Sequence, residues 1–149
     1  MIRILNEAIE VEQKFSDCYE KLSQMSLDES LSHELKKLSQ EEIGHMNSLK
    51  AGKNYVFKEP ELFGEETISD EEMKEGINLL DALLKDTENK RISLSEGLKR
   101  LYELEKRYEQ VHMKTVVEIK DQSLQQLFEA LSIGEKEHCQ RLEKIIASL

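Results

Sequence analysis

Apolar residues recur along most of this chain at spacings of three, four and seven positions, as they do on the buried face of a helix. Leu5, Ala8, Phe15, Tyr19 and Leu22 form the first such stripe. The stripes predict four long helices and one shorter helix, over about 2–25, 26–50, 70–85, 94–120 and 122–147.

Residues typical of helix ends mark the predicted boundaries. Four predicted helices start with a capping residue: Ser26, Ser69 and Ser93, each three positions before a Glu, and Asp121. The second helix is predicted to end near Gly52, since glycine is a common helix stop. Residues 51–68, which hold Pro60 and Gly64, are predicted to form a loop, as are the polar residues 86–91.

The short connections between the first two long helices and between the last two predict two antiparallel helix hairpins. One Pro, six Gly and no Trp in 149 residues also favour helices. We therefore predict an all-α fold in a single domain, a four-helix bundle made of two hairpins joined by a long crossover with a short extra helix. The predicted segments are hairpin one over about 2–50, the crossover over about 51–93 and hairpin two over about 94–147.

Charge and composition restrict the partners and the compartment. A formal net charge of −10 disfavours nucleic acid and anionic membranes, because both attract basic surfaces. The first residues lack a long apolar core and include an acid at Glu7, so we do not expect a signal peptide. No run approaches the ~20 apolar residues that are needed to span a bilayer. Cys18 and Cys139 are too few for a disulfide framework, so we expect buried free thiols and a cytoplasmic protein.

Acidic residues occupy the buried stripes of four helices, where carboxylates are normally absent. Glu12 lies four residues after Ala8 and three before Phe15, and Glu105 lies in a similar apolar stripe of the helix over 94–120. Two helices carry a carboxylate and an imidazole three residues apart on one face. These pairs are Glu42 with His45 and Glu135 with His138.

The chain repeats itself at a constant offset of 93 positions without a gap. The offset relates Glu12 to Glu105, Glu42 to Glu135 and His45 to His138. In each hairpin the two glutamates lie fifteen residues from the turn, which is ~22 Å of helix. If the hairpins pack with pseudo-twofold symmetry, four Glu and two His converge at the middle of the bundle.

Clustered buried carboxylates repel one another and lose several kcal/mol of solvation each, so a protein keeps them only with protons, cations or metal. No Lys or Arg occupies the inner stripes at this height, which favours metal. Two Glu and two Glu-x-x-His pairs are the ligand set of di-iron and di-manganese carboxylate bundles, and such oxygen-rich sites suit iron or manganese. The opposing interpretation is chance, because 25 of 149 residues are Glu and a lone Glu-x-x-His pair carries little weight.

Three further residues are candidates for a role beside the predicted ligands. Glu109 and His112 form a third Glu-x-x-His pair, but their repeat counterparts are Ser16 and Tyr19, so the pair is not a copied ligand pair. His112 is expected to contact a ligand or to fill the core. Tyr19 and Tyr108 are expected in the core, where either could hydrogen-bond a ligand carboxylate or carry a transient radical.

Four motifs occur in order along the two hairpins: Glu12 seven residues before Tyr19, Leu38-Ser39-x-x-Glu42-x-x-His45, Glu105 seven residues before His112, and Glu135-x-x-His138. Together they resemble the rubrerythrin branch of the ferritin-like superfamily, over both hairpins and not over the crossover. The resemblance implies a ferritin-like bundle that holds two iron ions, with Glu42 and Glu135 bridging them. It also implies that the remaining ligands are divided as Glu12 with His45 and Glu105 with His138.

The resemblance implies a peroxidase or ferroxidase-type oxidoreductase that reduces hydrogen peroxide or dioxygen, in oxidative-stress defence or iron handling. Manganese and zinc are the expected substitutes for iron. The chain lacks the CxxC pairs of a rubredoxin-like centre, so a separate electron donor such as a rubredoxin-like protein is expected, and a homodimer is expected by analogy. Tyr108 stands where rubrerythrins tend to have a further Glu. Two other functions stay open: a non-catalytic iron-binding or iron-storage ferritin-like module, and a scaffold that has lost its metal.

Overall fold

A computed structural model of the protein describes residues 1–63 and 68–149, and these are mostly helical. They form five α-helices and one turn of 3-10 helix, and they contain no strand, so the predicted all-α class is confirmed. The elements are α1 (Ile2–Met25), α2 (Glu29–Lys58), the 3-10 turn (Pro60–Leu62), α3 (Glu71–Glu88), α4 (Leu94–Glu118) and α5 (Gln122–Ala147). Within this described part, no helix has the length and apolar character needed to cross a membrane.

The helices pack as a bundle around one apolar core. α1 packs against α2 and α3, and α4 packs against α5 and α3. Phe15 of α1 meets Tyr108 of α4 edge to face with ring centroids 5.5 Å apart, an arrangement worth about 0.5–1.5 kcal/mol beyond the area it buries. Cys18 and Cys139 are buried free thiols, as predicted. Burial raises the pKa of the Cys139 thiol to about 12, so it stays protonated at neutral pH.

Side chains cap three of the helices. The hydroxyl of Ser93 and the carboxylate of Asp121 each accept a hydrogen bond from a first-turn N–H, as predicted. The prediction at Ser26 is wrong, because the Asp28 carboxylate lies next to α2 and accepts the first-turn N–H at 3.1 Å. The prediction at Ser69 is also wrong: α3 has no side-chain cap bond, and the Ser69 N–H donates to a carboxylate of α4.

α2 is longer than predicted and continues past Gly52. Gly52 is a point of close approach rather than a helix stop, since a Cβ there would lie 2.7 Å from Cδ2 of Leu127 in α5. The helix ends two residues before Pro60, and proline disfavours helical geometry at the residue that precedes it. The first part of the predicted loop over 51–68 is therefore helical, and its Gly64 lies outside the described residues.

α3 packs against α1 and α4 and is the shortest of the five described α-helices, in agreement with the short helix predicted over about 70–85. It extends three residues into the predicted loop at 86–91. Tyr108 of α4 donates a hydrogen bond from its hydroxyl to the Met73 carbonyl at 2.7 Å. A Cβ on Gly76 would overlap that hydroxyl, so the missing side chain of Gly76 lets α3 approach the bundle. The interior of the bundle is thereby closed on the side of α3.

The repeat of 93 residues is present in the contacts between helices. Ser39 of α2 donates from Oγ to the Ser16 carbonyl of α1 at 2.9 Å. Ser132 of α5 donates from Oγ to the Glu109 carbonyl of α4, also at 2.9 Å. Because 16 and 39 plus 93 give 109 and 132, the two helix pairs are joined at corresponding places.

Candidate metal centre

Four carboxylates lie in the middle of the bundle with 0% of their area exposed. Each comes from a different helix: Glu12 from α1, Glu42 from α2, Glu105 from α4 and Glu135 from α5. Each occupies a position in an apolar helical stripe, so the packing that buries the stripe also buries the acid.

Two imidazoles from α2 and α5 contact these carboxylates. His45 Nδ1 lies 3.0 Å from Glu42 Oε2 and 3.5 Å from Glu12 Oε2. His138 Nδ1 lies 2.7 Å from Glu42 Oε1 and 3.2 Å from Glu105 Oε1. The two rings face each other with centroids 5.5 Å apart and planes inclined by 24°. Both histidines therefore direct Nδ1 toward the carboxylates.

These side chains form two adjoining groups that could hold a metal ion. In each group, one potential ligand atom per residue lies within 4.8 Å of the others. The groups are Glu12, Glu42, His45 and Glu135, and Glu42, Glu105 and His138. Glu42 belongs to both groups. The structure thus brings together all six residues that the sequence suggested as ligands, and their binding of metal stays a prediction.

His112, which the sequence placed either beside a ligand or in the core, lies next to the buried carboxylates. Its side chain has 0% exposed area, and Nε2 is 3.4 Å from Glu12 Oε1 and 3.9 Å from Glu135 Oε1. The ring lies between the rings of Tyr108 and Phe128, with centroids 5.8 Å from each. His112 therefore contacts two of the predicted ligands, while aromatic rings fix its position.

Tyr19 and Tyr108, the two tyrosine candidates, have different partners. Tyr19 donates from its hydroxyl to Glu105 Oε1 at 2.5 Å, across from α1 to α4. Tyr108 donates to a carbonyl of α3 and hydrogen-bonds no ligand carboxylate among the described residues, because the close approach at Gly76 turns its hydroxyl to that helix. Tyr19 is thus the tyrosine that reaches a predicted ligand.

Burial and mutual repulsion alter the acidity of the carboxylates. Burial raises the pKa of Glu42 and of Glu135 well above the usual range, and the charges of the neighbouring glutamates raise it further. Burial also opposes ionisation of Glu12, but the nearby imidazoles of His112 and His45 outweigh it and leave the pKa of Glu12 below its usual range. The metal-free centre therefore favours protons on some carboxylates and charge on others.

The carboxylate oxygens that lack partners fit a bound cation. Both oxygens of Glu12 and both oxygens of Glu135 are buried and accept no hydrogen bond from any described residue. A buried carboxylate that accepts no hydrogen bond costs several kcal/mol, even where imidazoles lie nearby, as they do at Glu12. Oxygen donors with imidazole are a set that iron and manganese accept, so a divalent ion would satisfy the oxygens that the protein leaves unbonded.

Three residues next to the centre were missed by the sequence analysis. A Cβ on Gly134 would lie 2.6 Å from His45 Cε1, so this glycine makes room for the ring. Glu41 Oε2 lies 3.9 Å from His138 Nε2 and is bonded by Arg141. A lone glycine inside a helical pattern was the available signal, because it often marks a close approach.

The sequence matches no protein-family model and no curated protein, and no solved structure matches the chain. The buried Glu and His groups are therefore the observation from which a function is inferred.

Proposed function

We propose that this protein is a di-iron carboxylate oxidoreductase of rubrerythrin type, which reduces hydrogen peroxide or dioxygen. The observation that carries the proposal is the pair of adjoining Glu and His groups that share Glu42 inside the bundle. A chance cluster of acids is expected at the surface, whereas these carboxylates are buried on four helices at repeat-related positions.

The helix contacts support a ferritin-like arrangement of two hairpins. The hydrogen bond between Ser39 and Ser16 joins α2 to α1, and its repeat counterpart between Ser132 and Glu109 joins α5 to α4. The centre itself follows the same symmetry. Tyr19 donates to Glu105, and His112, the repeat counterpart of Tyr19, lies 3.4 Å from Glu12, the repeat counterpart of Glu105. These paired contacts are what two duplicated hairpins predict.

Six residues would hold the metal pair. Glu12 with His45 and Glu105 with His138 would each serve one ion, and Glu42, with Glu135, would serve both. When bound, an iron pair supplies two electrons for reduction of an O–O bond. The carboxylates offset the positive charge that the centre gains on oxidation, and the Tyr19 hydroxyl holds Glu105 in place at 2.5 Å. Renewed reduction requires the separate electron donor.

Metal content and oxidation kinetics test the proposal. Protein from iron-supplemented expression should contain about two iron ions per chain. The Glu105→Gln variant should bind less, while Glu103→Gln, an exposed glutamate on the same helix, should match the natural protein. In stopped-flow mixing, hydrogen peroxide or dioxygen should oxidise the ferrous-loaded protein much faster than free Fe(II). Less than one metal per chain would favour a scaffold without metal.

A protein that binds iron without turnover is the second candidate. Tyr108 occupies the position where rubrerythrins tend to have a further Glu, and its hydroxyl is directed to the Met73 carbonyl. The centre therefore has one carboxylate fewer than a rubrerythrin centre tends to have. Two bound iron ions that react no faster than free Fe(II) with either oxidant would favour this candidate. Storage in a closed shell requires many subunits, so light scattering that shows only monomers or dimers would exclude it.

A further inference from the structure

The two histidines of the centre differ in their access to solvent although the repeat relates them. We call Glu12 with His45 the His45 half-site, and Glu105 with His138 the His138 half-site. The His45 side chain is 22% exposed, and the His138 side chain is 3% exposed. The two half-sites are therefore not equivalent positions for a metal ion.

The difference in exposure arises at positions where the two copies of the repeat carry different residues. His138 is covered by Glu41, whose Oε2 lies 3.9 Å from His138 Nε2, and Arg141 Nη1 bonds the same oxygen at 2.5 Å. Adding 93 to 41 gives 134, and subtracting 93 from 141 gives 48, so the counterparts beside His45 are Gly134 and Ser48. A charged pair that covers one histidine is thus replaced by two small residues beside the other.

Arg141 also bonds a second carboxylate on α2, that of Glu34. Its Nη2 lies 2.9 Å from Glu34 Oε1, so one guanidinium bonds carboxylates at Glu34 and Glu41. On the other side, the Ser48 hydroxyl donates to the Gly44 carbonyl of its own helix at 3.2 Å, and among the described residues it forms no hydrogen bond to α5. A metal ion that left past His138 would therefore have to displace a charged network, whereas no such network lies between Ser48 and the described part of α5.

We infer that metal ions enter and leave this centre at the His45 half-site, and that Glu41 and Arg141 close the His138 half-site. The inference rests on the proposed metal centre and adds the order in which its two ions exchange. Arg141 and Glu41 are positioning residues. His138 directs Nδ1 to the buried carboxylates, its other ring nitrogen Nε2 faces Glu41, and Arg141 bonds Glu41. Such partners of a ligand histidine fix its ring and typically change metal affinity about 10–100-fold when lost.

Release of cobalt(II) tests the inference without redox chemistry. The metal-free protein is loaded with Co(II) and mixed with excess EDTA, and the cobalt absorption is followed with time. The natural protein should release two ions in two phases of equal amplitude. Arg141→Ser, which installs the residue found at the repeat counterpart, should accelerate the slow phase about tenfold and leave the fast phase unchanged. Arg100→Ser, which breaks an ion pair to Asp86 elsewhere on the bundle, is the matched control and should change neither phase.

A pair of glycine variants tests the open half-site. Gly134→Ala places a methyl 2.6 Å from the His45 ring, so it should reduce the amplitude of the fast phase and retain the slow phase. Gly44→Ala adds the same methyl one residue from His45 but meets no described atom within 4 Å, so both phases should be preserved. A thermal melt followed by circular dichroism establishes that each variant is folded.

The outcomes separate this inference from the proposed function. Binding of less than one cobalt ion per chain by the natural protein would overturn both. Two bound ions that leave in a single phase, or an Arg141→Ser variant that accelerates both phases equally, would overturn the inference alone. Because Arg141 is partly exposed, its variant should fold even where Gly134→Ala does not.

Discussion

Glu135→Gln should stabilise the metal-free protein near neutral pH and greatly reduce its stabilisation by metal. The Glu135 carboxylate has 0% exposed area, and burial raises its pKa well above the usual value of 4.5. A carboxyl whose pKa is raised by folding contributes stability below its unfolded pKa, and this contribution is lost as the pH rises through the folded pKa. At this residue, the metal-free natural protein should therefore lose stability as the pH rises above the unfolded pKa of 4.5.

The size of the effect follows from the burial of a carboxyl group that accepts no hydrogen bond. Near neutral pH, such a group costs the folded protein several kcal/mol, through lost solvation of its charge or through uptake of a proton. Glutamine removes this cost but leaves a buried amide whose missing hydrogen bonds cost about 1–3 kcal/mol. The expected net gain in unfolding free energy is about 1–2 kcal/mol, and each kcal/mol raises the Tm by about 2–4 °C in a chain of this size.

Urea unfolding of the metal-free proteins at several pH values measures both the gain and its pH dependence. The variant should lose less stability than the natural protein as the pH rises. Glu137→Gln, which neutralises an exposed glutamate on the same helix, should behave like the natural protein. With Co(II) at one hundred times its Kd, the natural protein should gain about 2.7 kcal/mol and Glu135→Gln much less. A Glu135→Gln variant that is less stable than the natural protein when metal-free, or equally stabilised by cobalt, would refute the reasoning.

Three further changes test the packing around the centre. Tyr19→Phe removes the donor to Glu105 and should cost about 1–3 kcal/mol in urea unfolding; an unchanged midpoint would contradict this hydrogen bond. Gly76→Ala should destabilise the protein by about 1–3 kcal/mol, because the added methyl overlaps the Tyr108 hydroxyl. Helix propensity alone predicts the opposite, a gain of about 1 kcal/mol, so a raised Tm would contradict the overlap. Asp121→Ala should cost about 1 kcal/mol through the lost cap of α5, which Asp121→Asn should largely restore.

Much of the fold and of the candidate centre could be predicted from the sequence because the relevant signals are local. The spacing of apolar residues predicts the helices and their buried faces, and α1 spans the predicted residues. The caps at Ser93 and Asp121 use atoms within one turn of the chain. The repeat then relates residues far apart, which is why the sequence alone assigns six polar side chains to one place.

The tertiary structure decided the features that depend on a neighbouring helix. Gly52, Gly76 and Gly134 look alike in the sequence, yet each faces a different side chain, and only the packed bundle shows which. The hydroxyl of Tyr108 turns away from the carboxylates because α3 provides a carbonyl 2.7 Å away.

The unequal exposure of the two histidines also depends on packing, because the residues that cover His138 lie on two helices. Periodicity and capping are properties of a single helix, so the sequence determines them. Distances between helices result from the interlocking of side chains distant in sequence, and no local pattern encodes them.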